Sequence, residues 1–186
     1  MDDSNIIYIT PSNYFELSND YVHDLLIDGM AFHSAEQAYQ FELWKNFPEM
    51  RDQILNCDTP KQAKQIGSLY NFCKTYGGDT NTHVYVKSQW YYLMKKFRDV
   101  QENIMSKVLY HKFDDPKLQE ILLSTGEKTL RLERNKSALP HGSSFYSFSW
   151  MWWNTNEKLI SVNNGSLGDH LCMVRMSLRR MINMNI

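Results

Sequence analysis

A carboxylate that works at neutral pH needs surroundings that control its charge, and the segment Gly29-Met-Ala-Phe-His-Ser-Ala-Glu-Gln-Ala-Tyr-Gln40 offers them. Ser34 is a good helix N-cap and Gln37, three residues on, completes a capping box, so a helix is expected to start here directly after a loop. Glu36 then sits in the first turn, where unsatisfied backbone N–H groups and the positive end of the helix dipole favour its ionised form. That is the state required of a base or a charge stabiliser. Acidic residues also gather in first turns merely to complement the dipole, so Glu36 alone does not establish a site.

Other chemistry-bearing residue types narrow the choice. The chain has six histidines and three cysteines, but His170 and Cys172 form only an H-x-C pair, and neither C-x-x-C nor H-x-x-x-H occurs. No metal and no cofactor are expected. Gly77-Gly78-Asp79 followed by Thr80-Asn81-Thr82 reads as a turn, not a phosphate loop. In Ser143-Ser-Phe-Tyr-Ser-Phe-Ser-Trp-Met-Trp-Trp153, hydroxyl residues alternate with aromatics; such rings pack a core or cover a sheet edge, or stack a nucleobase at a pocket mouth.

The elements that must position these groups follow from caps and periodicity. Strands are expected near Ile6–Ile9, Leu25–Asp28, Thr129–Glu133 and Leu159–Val162. Helices are expected near Ala35–Asn46, Pro48–Asn56, Pro60–Tyr76, Val86–Lys112, Pro116–Thr125 and Asp169–Ile182. Thr59 before Pro60 and Asp115 before Pro116 are N-cap and first-position proline pairs that fix two helix starts. Trp90, Leu93, Met94, Phe97, Ile104, Met105, Val108 and Leu109 put an apolar stripe on the longest helix, and Leu171, Val174, Leu178 and Met181 do so on the last. The expected fold class is α+β, mainly α-helical, with a few short strands.

Length and charge agree with one domain spanning 1–186. A chain of 186 residues buries about two thirds of its unfolded surface without staples. The formal net charge of −1 gives no global field to hold nucleic acid, although Arg175, Arg179 and Arg180 form a local basic cluster. Nucleic acid is therefore expected only as a modified substrate held by a pocket. Cys57, Cys73 and Cys172 are odd in number and widely spaced, and no leader or long apolar run opens the chain, so a soluble, cytoplasmic protein with no membrane contact is expected.

Short motifs recur in a fixed order: Leu17-Ser18-Asn19, Ile27-Asp28-Gly29, Ser34-Ala-Glu36-Gln-Ala-Tyr-Gln40, Ala63-Lys-Gln-Ile-Gly67, Arg98-Asp-Val-Gln-Glu-Asn-Ile-Met105 and Lys112-Phe113. Leu122-Leu-Ser-Thr-Gly126, Leu130-Arg-Leu-Glu133, Ser166-Leu-Gly168 and Met173-Val-Arg175 complete the series. In this order it resembles the NADAR superfamily, the YbiA-like fold, over roughly residues 8–182. The resemblance implies an α-rich α+β domain that cleaves N-glycosidic bonds, with substrates such as aminated ribose-phosphate intermediates of riboflavin synthesis or ADP-ribose on guanine bases. It also implies that Glu36 is the catalytic glutamate and that Asn19 lines the pocket.

Two departures stand out. The family carries a D-x-x-W-G segment after the strand that ends in glutamate, and its Asp and Trp belong to the active site. Counted from Glu133, this chain has Ala138 and His141-Gly142 there; another alignment gives Trp152 or Trp153 the Trp role, with Ser149 or Trp150 three residues earlier. The family tryptophan before the long helical segment is Phe97 here, and the last residue of F-S-N-F is Asp20.

Breaking an N-glycosidic bond to ribose builds positive charge on the anomeric carbon, so a carboxylate on one face stabilises it and orients or deprotonates the attacking water. A second acid would protonate the leaving nitrogen or hold the water. With Ala138 at the family's Asp position, the available substitutes are Asp20 and Glu133, each of a type that is ordinarily a solvated surface charge. The expected site is therefore Glu36 with Asn19, Asp20, Phe97, Glu133, Trp152 and Trp153 on substrate, a small-molecule ribose phosphate or an ADP-ribosyl group. Two other readings stand beside the enzyme: an inactive pocket of the same fold that binds a nucleotide or ADP-ribose-like ligand, and an interaction protein that uses the aromatic segment as a partner surface.

Overall fold

The computed structural model describes residues 3–68, 71, 75, 100–132 and 167–184. After a 3-10 turn at Asp3–Asn5 comes β1 (Ile6–Ile9), and a second 3-10 turn, Phe15–Leu17, leads to the hairpin of β2 (Val22–Ile27) and β3 (Met30–Ser34). Three helices follow: α1 (Ala35–Trp44), α2 (Pro48–Leu55) and α3 (Pro60–Ile66). Residues 100–112 form α4, and α5 (Pro116–Ser124), β4 (Thr129–Leu132) and α6 (Leu167–Met184) complete the described elements. The α+β, mainly helical class read from the sequence is the class observed.

The caps are where the sequence puts them. Ser34 Oγ accepts from the Gln37 N–H at 3.1 Å, Thr59 Oγ1 from the Gln62 N–H at 3.2 Å, and Asp115 Oδ1 from the Lys117 and Leu118 N–H groups at 2.7 and 3.1 Å. Each satisfies backbone donors that a helix start leaves open. Several boundaries differ by one or two residues. α1 ends at Trp44 instead of Asn46, α2 at Leu55, α5 at Ser124, and α6 runs from Leu167 to Met184. β4 ends at Leu132.

The stretch before Ser34, read as a loop, is instead β3. It pairs antiparallel with β2 in the register Leu25↔Phe32, Leu26↔Ala31 and Ile27↔Met30, leaving Asp28-Gly29 as a two-residue turn. Both turn residues have positive φ, 51° and 80°, as a type I′ hairpin turn requires. Asp28 therefore belongs to the turn and not to the strand. β1 pairs with β4 in parallel, Ile6↔Thr129 through Ile9↔Leu132, so strands far apart in the chain share one ribbon.

α1 is the hub. It packs on α2, α3, β2 and β3, while α6 lies on β4 and α5. One hydrophobic cluster runs from Ile9 and Leu17 through Phe32, Tyr39 and Trp44 to Met105, Val108, Leu109, Leu122, Leu171 and Leu178. Met105, Val108 and Leu109 are buried as their spacing requires, whereas Met181 is half exposed and leaves the expected stripe of the last helix. The basic cluster also resolves differently. Arg175 is buried and donates to Thr125 Oγ1 at 2.6 Å and to the Lys128 carbonyl at 2.9 Å, and Arg179 pairs with Glu127. These arginines fasten α6 to the turn before β4.

Candidate active site

α1 is buried almost all round, and it carries Glu36, Gln37 and Gln40 into the interior. A helix enclosed on every side is normally apolar, and buried polar groups persist when they are bonded. Gln37 is bonded structurally. Its Oε1 accepts from the His33 N–H at 2.9 Å, one residue short of a strict capping box, and its Nε2 donates to the Ile54 and Leu55 carbonyls at 3.0 and 3.2 Å. It latches α1 to the end of α2.

Glu36 and Gln40, one turn apart, do something else. Gln40 Nε2 donates to Glu36 Oε1 at 2.8 Å. The other carboxylate oxygen, Oε2, faces Lys64 Nζ at 3.8 Å, and the same ammonium donates to Asp20 Oδ1 and Oδ2 at 2.9 and 3.1 Å. One lysine of α3 therefore stands between two carboxylates. Side-chain exposure falls from 43% at Asp20 through 25% at Lys64 to 2% at Glu36. Solvent meets the cluster at Asp20, with Glu36 at its inner end.

The Ser18–Asp20 loop closes the other side. The Asn19 carbonyl accepts from the Glu36 N–H at 3.0 Å, and the Asn19 Nδ2 reaches Met105 Sδ at 3.5 Å. Asn19 is buried, and its Oδ1 has no hydrogen-bond partner among the described residues. The Asp20 N–H donates to Ser18 Oγ at 3.1 Å. Beneath the loop, Lys112 at the end of α4 is buried and donates from Nζ to the Ser18 carbonyl at 2.6 Å.

Charge states follow from this packing. Burial pushes the Glu36 carboxyl above its ordinary value; Lys64 opposes the rise, Asp20 adds to it, and the Gln40 hydrogen bond resists it. The helix dipole, worth about 0.3–1 kcal/mol, favours the ionised form, and burial acts against it. Burial alone would lower the Lys64 ammonium, but Glu36 and Asp20 outweigh it and hold it above its ordinary value. Lys112 has less compensation: burial takes it down to about 7 against the pull of Asp20 and Glu16.

The expected site residues thus divide. Asn19, Asp20 and Glu36 come together, and Asp20, read as a type ordinarily solvated, is paired beside Glu36. Phe97, Glu133, Trp152 and Trp153 lie outside the described residues, as do Ala138 and the aromatic segment 143–153. Sequence reading missed Lys64, Gln40 and Lys112 as parts of the cluster. Each was present in a quoted motif, Ala63-Lys-Gln-Ile-Gly67, Ser34-Ala-Glu-Gln-Ala-Tyr-Gln40 and Lys112-Phe113, but nothing local to those motifs tells which carboxylate or carbonyl a side chain will meet.

Among the described residues no group of three His, Cys, Asp or Glu side chains converges as a metal site would require, and no helix is long and apolar enough to cross a membrane. A cleft of about 250 Å³ between α4 and α6, lined by Ser106, Tyr110, His170, Met173 and Arg180 among others, shares no residue with the Glu36 cluster.

Comparison with known proteins gives three findings. A family model described as the NADAR domain matches residues 7–179. The NMR structure of the E. coli protein YbiA superposes with a TM-score of 0.55 at 19% sequence identity, covering 100% of this chain and 88% of that one; at that identity it shows the fold alone. A comparison with curated proteins finds no match.

Proposed function

Because this chain belongs to the NADAR domain family, which is associated with N-glycosidase activity, we propose that it hydrolyses the N-glycosidic bond of a ribose-phosphate or ADP-ribosyl substrate at the Glu36 cluster. The observation that carries this reading is the shared ammonium: Lys64 binds Asp20 and faces Glu36, so a second carboxylate stands beside the first in a chain whose resemblance puts Ala138, Ser149 or Trp150 where the family has its Asp.

The division of labour follows from exposure and proton affinity. Glu36, in a water-poor place, exerts its charge on a developing cation more strongly than it would in water. Its raised proton affinity suits it to take a proton from the attacking water, since a general base works best when its pKa approaches the working pH. Asp20, at the open side and ionised against Lys64, holds the attacking water, and the proton that Glu36 takes from that water goes on to the departing nitrogen. Lys64 keeps the two negative charges compatible at close range. Asn19 Oδ1, a buried acceptor with no partner among the described residues, is left to receive a hydroxyl of the ribose; leaving such an acceptor empty costs about 1–3 kcal/mol.

A panel assay tests the proposal. The purified chain is incubated with ADP-ribosylated guanosine and with an aminopyrimidine ribose phosphate, and free base and free anomeric end are measured together. Stoichiometric release of both from one substrate is expected. Tight binding of ADP-ribose with no release from any member of the panel would replace the enzyme with the binding module.

A further inference from the structure

Ser18, Asn19 and Asp20 have no strand or helix of their own, yet Asn19 caps the Glu36 N–H and Asp20 meets Lys64. What holds the loop comes from beneath. Lys112 is fully buried, its Nζ lies 2.6 Å from the Ser18 carbonyl, and the Tyr21 and Phe113 rings stand 6.0 and 5.6 Å from the amine. A lysine is almost never buried without a task, and a thioether or leucine would fill the same apolar shaft at lower cost.

We propose that Lys112 is a positioning residue for the Glu36 site, a buried strap whose amine fixes the Ser18–Asp20 loop so that the Asn19 carbonyl and the Asp20 carboxylate meet α1 and Lys64. Lys112 touches neither Glu36 nor the solvent side; it acts through the loop. The inference deepens the proposed function and rests on it only for its activity arm.

The strap is sensitive to protonation. The acidic groups bearing on the amine are Glu16 in the second 3-10 turn and Asp20 in the loop, with Tyr21 as its other titratable neighbour. Burial outweighs both carboxylates, so the charged amine gains by any opening that brings water to it. Linkage then sets the direction: opening becomes rarer as pH rises from about 7 towards the ordinary lysine value of 10.5.

Amide hydrogen exchange reads the strap directly. In Lys112→Met, which keeps the apolar stem, the Glu36 N–H bonded to the Asn19 carbonyl is expected to lose about tenfold or more of its protection, while amides of β1 and β4 keep theirs and the melting temperature is unchanged or higher. A purely structural lysine would instead lower the melting temperature and loosen all these amides together, overturning the proposal, as would unchanged protection at Glu36. The unaltered chain gives a second reading should the variant not fold. Protection at Glu36, corrected for the intrinsic acceleration of exchange with pH, should rise about tenfold or more between pH 7 and pH 9, and flat protection would overturn the strap. With ADP-ribosylated guanosine, Lys112→Met should lower kcat more than it raises KM; if no activity exists in either protein, the exchange data still decide the role of Lys112.

Discussion

Gly67 gives the sharpest test of how the cluster is packed. It closes α3 with φ −72°, a conformation open to any residue, so Gly67→Ala would ordinarily stabilise the protein by about 0.4–1 kcal/mol through a stiffer unfolded chain. Space reverses the sign. An added Cβ would overlap Gln40 Oε1 and stand 2.6 Å from Gln40 Cδ and 3.1 Å from Trp44 Nε1. Trp44 Nε1 already donates to the Gly67 carbonyl at 3.1 Å. Gln40 is completely buried and holds Glu36 Oε1 at 2.8 Å, so its amide moves only by loosening Glu36. Overpacking of this kind costs about 1–3 kcal/mol, and weakening a hydrogen bond to a charged group adds up to about 1.5–3 kcal/mol. After the unfolded-state gain, a net loss of about 1–5 kcal/mol remains, a fall of roughly 2–20 °C in melting temperature for a chain of this size. Thermal unfolding by circular dichroism measures it. A melting temperature equal to or above that of the unaltered protein would refute the claim that Gly67 is there to admit Gln40.

Gln37→Leu should destabilise the protein by about 1–3 kcal/mol per stranded backbone group, because the His33 N–H and the Ile54 and Leu55 carbonyls lose their partner; denaturant titration checks this. The stability of the unaltered chain relative to Lys112→Met should rise between pH 7 and 10.5, since only the unfolded lysine stays protonated across that window; parallel pH profiles would show that the lysine is not buried as described. Asp115→Ala should cost about 1 kcal/mol as a lost N-cap. The Leu118 N–H and burial act in opposite senses on Asp115, with the net effect downward, so that contribution is present above pH 3.8 and fades as pH falls below it, which a melting series in acid follows.

What was legible in the sequence was local. Ser34, Thr59 and Asp115 announce their helices because a cap is a contact between residues two or three apart, and Met105, Val108 and Leu109 announce their face by helical spacing. β3 was lost because Met30-Ala-Phe-His-Ser34 has no β-branched residue and ends in a polar pair. Yet Asp28-Gly29, between Ile27 and Met30, is the strongest short hairpin signal there is and would have exposed it. The site was half legible. Glu36 and Asn19 stand in recognisable motifs, but the ammonium that joins Glu36 to Asp20 comes from 28 and 44 residues away in the chain, and no spacing rule reaches across that distance. The burial of Glu36 was not legible for a related reason: the dipole is visible from position alone, whereas desolvation, which raises its proton affinity, depends on which elements finally surround the carboxylate.

Glu36→Gln is the most direct test of the central claim, because it preserves shape and helix start while removing the charge that acts in the transition state. In the unaltered protein, base release should fall on acidification through a midpoint above the ordinary glutamate value of 4.5, since Glu36 must be ionised to act and burial raises its proton affinity. In Glu36→Gln, base release from ADP-ribosylated guanosine should vanish at every pH while ADP-ribose affinity stays within a few-fold, as expected when a group stabilises only the transition state. Full base release by a folded Glu36→Gln protein would contradict the account.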